Sequence, residues 1–262
     1  MVRARPSVLF AVGLLFCMAA IGCEPASDPT PPSAPSLSDP SRAPRGQRFG
    51  TDVTSEPGRA RTGEPAGPRP RLELGRNSIV AFGDSLTAGL GVPPDESYPS
   101  QLQRRLDAAG YRYRVINAGV SGETTAGGVR RVDWVLRDRP TVVILELGAN
   151  DGLRGLDLSQ TRANLEEIIR RLQAAGVTVV LAGMKLPPNY GEEYASRFAA
   201  IYSDLAHQYR LPFMSFFLEG VATQPGLNQE DGIHPTGAGY RIIVDRLLPV
   251  LEPYLKTPSG RS

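Results

Sequence analysis

Cysteine and histidine are almost absent: two of each occur in 262 residues, and one of the cysteines, Cys17, sits in an apolar stretch near the N-terminus. With Cys23 the only other thiol, no disulfide framework is available, so the fold must be held by a hydrophobic core of its own. A surplus of charge is missing too. The chain has 29 basic and 27 acidic residues, and residues 1–22 hold two arginines and no acid, so the remainder is balanced at 27 against 27. Such a balance leaves no electrostatic footprint for nucleic acid. Long apolar runs are also lacking. Residues 8–21, "VLFAVGLLFCMAAI", fall short of the roughly 20 needed to span a bilayer as a helix. Lying behind Arg3 and Arg5 and ahead of Gly22, they read as the core of a secretion signal.

What is present after that signal is a cysteine and then proline. "AIGC", ending at Cys23, resembles the lipobox of bacterial lipoproteins, in which the signal is cut before a cysteine that then carries lipid; Ala20 stands where leucine is commonest. An ordinary secretory signal or an uncleaved anchor are the alternatives. The resemblance implies an exported, lipid-anchored protein of a bacterial envelope, and Glu24 after the cysteine favours the outer membrane. From Glu24 to about Leu74 the chain is rich in Pro, Ser, Gly and Arg, with eleven of its 24 prolines. Such a composition buries too little surface to offset its ordering entropy, so residues 23–74 are expected to be a disordered tether. Residues 257–262 are expected to be a flexible tail.

From about Gly75 the pattern changes to short β-branched runs alternating with amphipathic windows. Strands are predicted at residues 78–82, 113–118, 141–147, 178–184 and 212–217, and helices at about 98–109, 125–138, 159–175, 192–209 and 237–255. In the third of these helices Leu165, Ile168, Ile169 and Leu172 recur at helical spacing, Glu166 with Arg170 and Glu167 with Arg171 stand four apart, and Gly176 stops it. Alternating strands and helices with short links imply a parallel sheet covered on both faces. Ligand sites in such sheets gather at the carboxyl ends of the strands.

Four stretches bring small and polar residues to that edge: "GDSLTAG" after the first strand, "NAGVSGETT" after the second, "GAND" after the third and "DGIHP" before the last helix. Acyl-bond hydrolysis needs a hydroxyl nucleophile, a base, a group to orient the base and donors for the oxyanion. Ser85 is the hydroxyl. Of the two histidines, His207 lies at the end of a helical window and reads as solvated, whereas His234 is fixed between Ile233 and Pro235 ahead of a Thr236 cap. Asp231, three residues before His234, is placed for a tight turn that presents its carboxylate to the ring. The backbone N–H groups of Ser85 and Gly119 and the Asn150 amide are the oxyanion donors.

These four blocks, in this order, resemble those of the SGNH (GDSL) hydrolase superfamily over residues 76–252. "FGDSLTAGLGV", "ELGANDGLRG", "LPPNYG" and "QEDGIHPTGAGY" are most similar to the bacterial branch of arylesterases and thioesterase I/lysophospholipase L1. The resemblance implies an α/β, flavodoxin-like three-layer sandwich with a five-stranded parallel sheet over residues 75–256. It also implies a serine esterase without metal or cofactor, with roles on Ser85, Gly119, Asn150, Asp231 and His234. The expected substrates are lysophospholipid, fatty acyl or aryl esters, with thioesterase capability, and a monomer is favoured. Polysaccharide deacetylation by the same site, or a non-catalytic lipid- or glycan-binding module, are the competing readings. No G-x-S-x-G is present, which argues against the α/β-hydrolase fold. "GAND" carries Ala149 where many relatives have glycine.

Three further expectations concern neighbours of the site. Asp84, beside the nucleophile, should point away and cap a turn or bind backbone N–H groups. Glu146 should either brace the loop after the second strand through Thr124 or Thr125, or face solvent at the edge. Leu186, Pro187 and Tyr190 either line an acyl-chain groove or form an ordinary proline-stiffened loop.

Overall fold

In the computed structural model, which describes residues 77–256, the chain runs β1 (Asn77–Gly83), α1 (Ser85–Ala88), α2 (Tyr98–Ala108), β2 (Tyr113–Gly119), α3 (Thr125–Leu136), β3 (Val142–Glu146), α4 (Ala149–Leu153), α5 (Leu158–Ala174), β4 (Thr178–Ala182), α6 (Glu192–Tyr209), β5 (Phe213–Met214) and α7 (Gly237–Leu251). The secretion signal, Cys23, the expected tether and the tail lie outside the described residues. Among the described residues, no helix is long and apolar enough to cross a membrane.

The five strands are all parallel and ordered β2-β1-β3-β4-β5. Ile79 to Phe82 in β1 and Val142 to Glu146 in β3 are buried on both faces, which is why these runs do not alternate with polar residues. Helices α2 and α7 pack together on one face, and α3, α5 and α6 on the other. The architecture is the expected flavodoxin-like sandwich. The strand order reverses between β1 and β3, and such a switch point opens a crevice at the strands' carboxyl ends. Ser85 follows one of these strands and Asn150 the other.

Element ends differ from the sequence expectation where tertiary contacts intervene. The fifth strand, predicted over 212–217, keeps only two residues. The chain then leaves the sheet and carries Phe217 beneath it, edge-on to Tyr98 at 5.3 Å between ring centroids, with its N–H on the Gly183 carbonyl. The last helix stops at Leu251 instead of 255, and Pro253 follows in a 3₁₀ turn, Glu252–Tyr254. The short helices α1 and α4 were not expected. Neither are the i, i+4 pairs of α5 formed: Glu167 meets Arg170, Arg171 reaches Asp133 of α3, and Glu166 accepts the hydroxyl of Tyr209 in α6. Partners on adjacent helices displace a local pairing worth only a few tenths of a kcal/mol.

Candidate active site

Ser85 is the first residue of α1, directly after β1. Asp84 caps this helix by accepting the Leu86 N–H at 3.0 Å, and Gly89 closes it in the left-handed conformation with φ of 79°. Gly83 is required by crowding: a Cβ there would lie 2.0 Å from Thr87 Oγ1 and 2.5 Å from the Glu146 carbonyl. The sharp strand-to-helix transition therefore lifts Ser85 Oγ onto the edge of the sheet.

His234 meets Ser85 there. Its Nε2 lies 2.9 Å from Ser85 Oγ and its Nδ1 2.6 Å from Asp231 Oδ2. Asp231 Oδ1 accepts the N–H groups of Ile233 and His234 at 2.9 and 3.0 Å. Burial pushes the Asp231 pKa upward, but the bonds from His234 and Ile233 outweigh it and hold the carboxyl at about 2. An ionised Asp231 fixes the ring tautomer, so Nδ1 donates and Nε2 is left to accept from Ser85. Gln229, which the sequence did not single out, anchors this turn: its amide donates to the Pro235 carbonyl and, across the cleft, to the Leu90 carbonyl at 2.7 Å. Thr236 caps α7 as expected, while His207 is exposed in the last turn of α6.

The three proposed oxyanion donors stand on the same edge. Gly119 pairs with Gly83 in the sheet register, and a Cβ on it would fall 2.2 Å from Ala88 N. Its N–H donates to Asn117 Oδ1 at 2.9 Å. The Asn150 amide donates to Asp84 Oδ2 at 3.0 Å and to the Glu123 carbonyl at 3.1 Å. Asp84 thus turns away from the cleft and caps, as expected. It also clamps Asn150, which sequence reasoning missed.

Glu146 is neither solvated nor bonded to Thr124 or Thr125. It is fully buried under α1, with Oε2 accepting the Thr87 hydroxyl at 2.7 Å and Oε1 without a partner. The bracing expected of Glu146 comes from Asp151, which accepts the Thr125 N–H at 2.8 Å and its hydroxyl at 2.6 Å and so ties α4 to the start of α3. Arg131 of α3 secures the loop after β2 by pairing with Glu123, donating to the Ala118 carbonyl and lying 5.0 Å over the Phe82 ring. Burial, and then the Asp84 charge, push the Glu146 carboxyl well above its ordinary value. Burial also raises Asp84, to about 6, although the Leu86 N–H, the Asn150 amide and His234 oppose it.

In the loop after β4, Leu186 lies against Gly152 and Tyr190 donates to the Leu153 carbonyl at 3.0 Å, while Pro187 is exposed. This loop abuts the flank of α4. Among the described residues, no three His, Cys, Asp or Glu side chains converge as a metal ion would need.

A match to the GDSL-like lipase/acylhydrolase family spans residues 81–242. The chain is 41% identical over 179 residues to esterase TesA of Pseudomonas aeruginosa, covering 68% of this chain and 89% of that one. It is 35% identical over 184 residues to thioesterase 1/protease 1/lysophospholipase L1 of Escherichia coli K12, covering 70% and 87%. The crystal structure of TesA superposes with a TM-score of 0.67 at 40% identity, covering 68% of this chain and all of that one. The chain is an ester hydrolase and belongs to the GDSL-like lipase/acylhydrolase (SGNH) family.

Proposed function

We propose that the protein hydrolyses esters by two-step acyl transfer, with Ser85 as nucleophile, His234 as base and Asp231 as its orienting partner. The observation that carries this reading is the unbroken hydrogen-bonded line from Ser85 Oγ through His234 to Asp231. His234 Nε2 takes the hydroxyl proton as Oγ attacks the acyl carbon, and returns it to the departing alcohol. Water, activated by the same nitrogen, then cleaves the acyl-enzyme. The developing oxyanion draws the N–H groups of Ser85 and Gly119 and one N–H of the Asn150 amide, which leaves the Glu123 carbonyl for it while Asp84 keeps the other. Gly119 exchanges its Asn117 acceptor for the substrate oxygen.

Fatty acyl, lysophospholipid or aryl esters are the proposed substrates. Three of the exposed large apolar residues border the site: Leu90, Val120 and Ile233, each 44–47% exposed. Leu90 N–H bonds the Ser85 carbonyl, Val120 N–H the Gly83 carbonyl and Ile233 N–H the Asp231 carboxylate, so this apolar rim belongs to the catalytic edge. A rim of this kind suits a hydrophobic acyl or aryl group. Leu186, Pro187 and Tyr190 continue it as an acyl-chain groove. Residues 75–256 are the catalytic domain, residues 1–22 a lipoprotein signal and residues 23–74 a tether from an acylated Cys23 on the periplasmic side of a bacterial envelope.

Hydrolysis of p-nitrophenyl esters from acetyl to palmitoyl, with lysophosphatidylcholine alongside, tests this reading. Turnover should peak on medium or long chains, and Ser85→Ala and His234→Ala should each lower kcat by at least about 10⁴-fold without changing the melting temperature by more than a few degrees. Activity confined to acetate would favour deacetylation, and undiminished turnover by Ser85→Ala would refute the mechanism.

A further inference from the structure

The β2–α3 loop and the end of α4 border an open surface cavity of about 340 Å³, with Arg130 and Arg154 exposed at it, that the proposed mechanism does not use. Val120, Gly122, Glu123, Thr124, Arg130 and Arg154 line it. It adjoins the oxyanion donors: Val120 directly follows Gly119, and the Glu123 carbonyl holds the Asn150 amide. Arg154 Nη2 donates to the Gly122 carbonyl at 3.0 Å and reaches Asn150 Oδ1 at 3.4 Å.

The charge in this cavity is uncompensated. Its one acid, Glu123, is taken by Arg131, which approaches it with both Nε and Nη2. Among the described residues, neither Arg130 nor Arg154 has an acidic partner, and Arg154 directs only its Nη2 to protein acceptors. A guanidinium carries five N–H donors in a planar fork, a geometry that suits a phosphate better than a single carbonyl. Two unpaired guanidiniums at one concave mouth make a local positive field that the balanced total charge conceals.

The flanks of α4 differ in kind. On one side the Leu186–Tyr190 loop covers Gly152 and Leu153, an apolar surface for an acyl chain. On the other are Arg130 and Arg154. Resting on the esterase reading above, we propose that the Arg130–Arg154 cavity is an anion subsite that takes a phosphate group on the alcohol portion of the substrate. The preferred esters are then those of phosphorylated alcohols, whether lysophospholipids or smaller acylated phosphates, and the two arginines set specificity without acting on the reacting bond.

The test uses the purified full-length chain carrying Ser85→Ala, so that binding is read without turnover. Calorimetry compares 1-octanoylglycerol 3-phosphate with 1-octanoylglycerol, both below their aggregation concentrations. The phosphorylated ligand should bind about tenfold more tightly, an advantage that shrinks with added salt. Arg130→Gln should remove most of that advantage, Arg130→Glu should reverse it, and the double Arg130→Gln/Arg154→Gln variant should bind both ligands alike. Equal affinity for the two ligands in the Ser85→Ala parent, or a preference that survives in the double variant, overturns the subsite. Inorganic phosphate binding as tightly as the phosphorylated lipid would overturn the substrate assignment. If the preference is present but the Ser85 chain hydrolyses neither ligand, the subsite stands and the catalytic reading falls, so the two failures are distinct.

Discussion

Asp84 shows how one carboxylate serves two elements. One oxygen caps α1, where Ser85 begins, and the other holds the Asn150 amide at the head of α4. Asp84→Asn keeps the cap, because the new side-chain carbonyl still accepts from Leu86, but turns an N–H₂ toward the Asn150 N–H₂. Losing a well-aimed oxyanion donor typically costs about 10²- to 10³-fold in rate. The expectation is a fall in kcat on the order of 10²-fold, with KM within about threefold of wild type. A raised KM at unchanged kcat would contradict it. The buried pair also makes a thermodynamic prediction. Both carboxyls have pKa values raised by folding, Asp84 to about 6. The protonated forms therefore favour the native state: their contribution is fully present below the unfolded value of about 4 and is lost as pH rises through the folded values. Glu146→Gln cannot ionise. Its melting temperature relative to wild type should therefore climb as pH is raised from 5 to 9 in scanning calorimetry, whereas a difference constant across that range would show that Glu146 holds no raised pKa.

At the scale of elements, the close contact of β2 with α1 places Gly119, the proposed oxyanion donor, beside Ser85, the proposed nucleophile. A Cβ at Gly119 would lie 2.2 Å from Ala88 N and 2.7 Å from Ala88 Cα, both backbone atoms that no rotamer change moves. Gly119→Ala should push α1 off the sheet edge, lowering stability by roughly 1–3 kcal/mol and kcat/KM by on the order of 10²-fold. Gly176→Ala is the contrast. It meets nothing within 4 Å but has φ of +76°, so it should lose about 1 kcal/mol of stability by denaturant titration and keep its kcat. Activity lost equally in both variants would mean that stability alone, not donor placement, governs the Gly119 effect.

The same contrast separates what sequence reveals from what it conceals. The central strands β1, β3 and β4 were legible because their apolar runs must be buried on two faces, and Ser85, Gly119, Asn150, Asp231 and His234 could be picked out because their residue types, in four blocks after strands or before the last helix, match what acyl transfer needs. The structure brings them together at one edge of the sheet. Gln229 and the Asp84 clamp were not legible, since each acts through a contact distant in sequence that no local spacing encodes, and Asn117 was missed although it accepts the Gly119 N–H only two residues on. Glu146 was misread for a related reason. Its β-strand phase permits either face, and only the approach of α1 over Gly83 determines that it is buried against Thr87.

For the molecule as a whole, every residue assigned to catalysis and to the anion subsite lies within the described sandwich, and no described helix can cross a membrane. The proposed route to the membrane is the N-terminal segment, where Cys23 directly follows the apolar leader in the position of a lipoprotein's acylated cysteine. A single acyl chain holds a protein only marginally, whereas the multiply acylated cysteine of a bacterial lipoprotein anchors it stably. Wild-type protein expressed with its full leader should fractionate with membranes and incorporate labelled palmitate. Cys23→Ser should appear in the soluble exported fraction without label, and its kcat/KM on a water-soluble p-nitrophenyl ester should stay within about twofold of wild type, because no catalytic group is altered. Turnover of lysophospholipid embedded in vesicles should fall far more, since the anchor raises only the local concentration of enzyme at the surface. Cys23→Ser protein that remains with the membrane would overturn lipid anchoring and leave the apolar leader itself as the anchor.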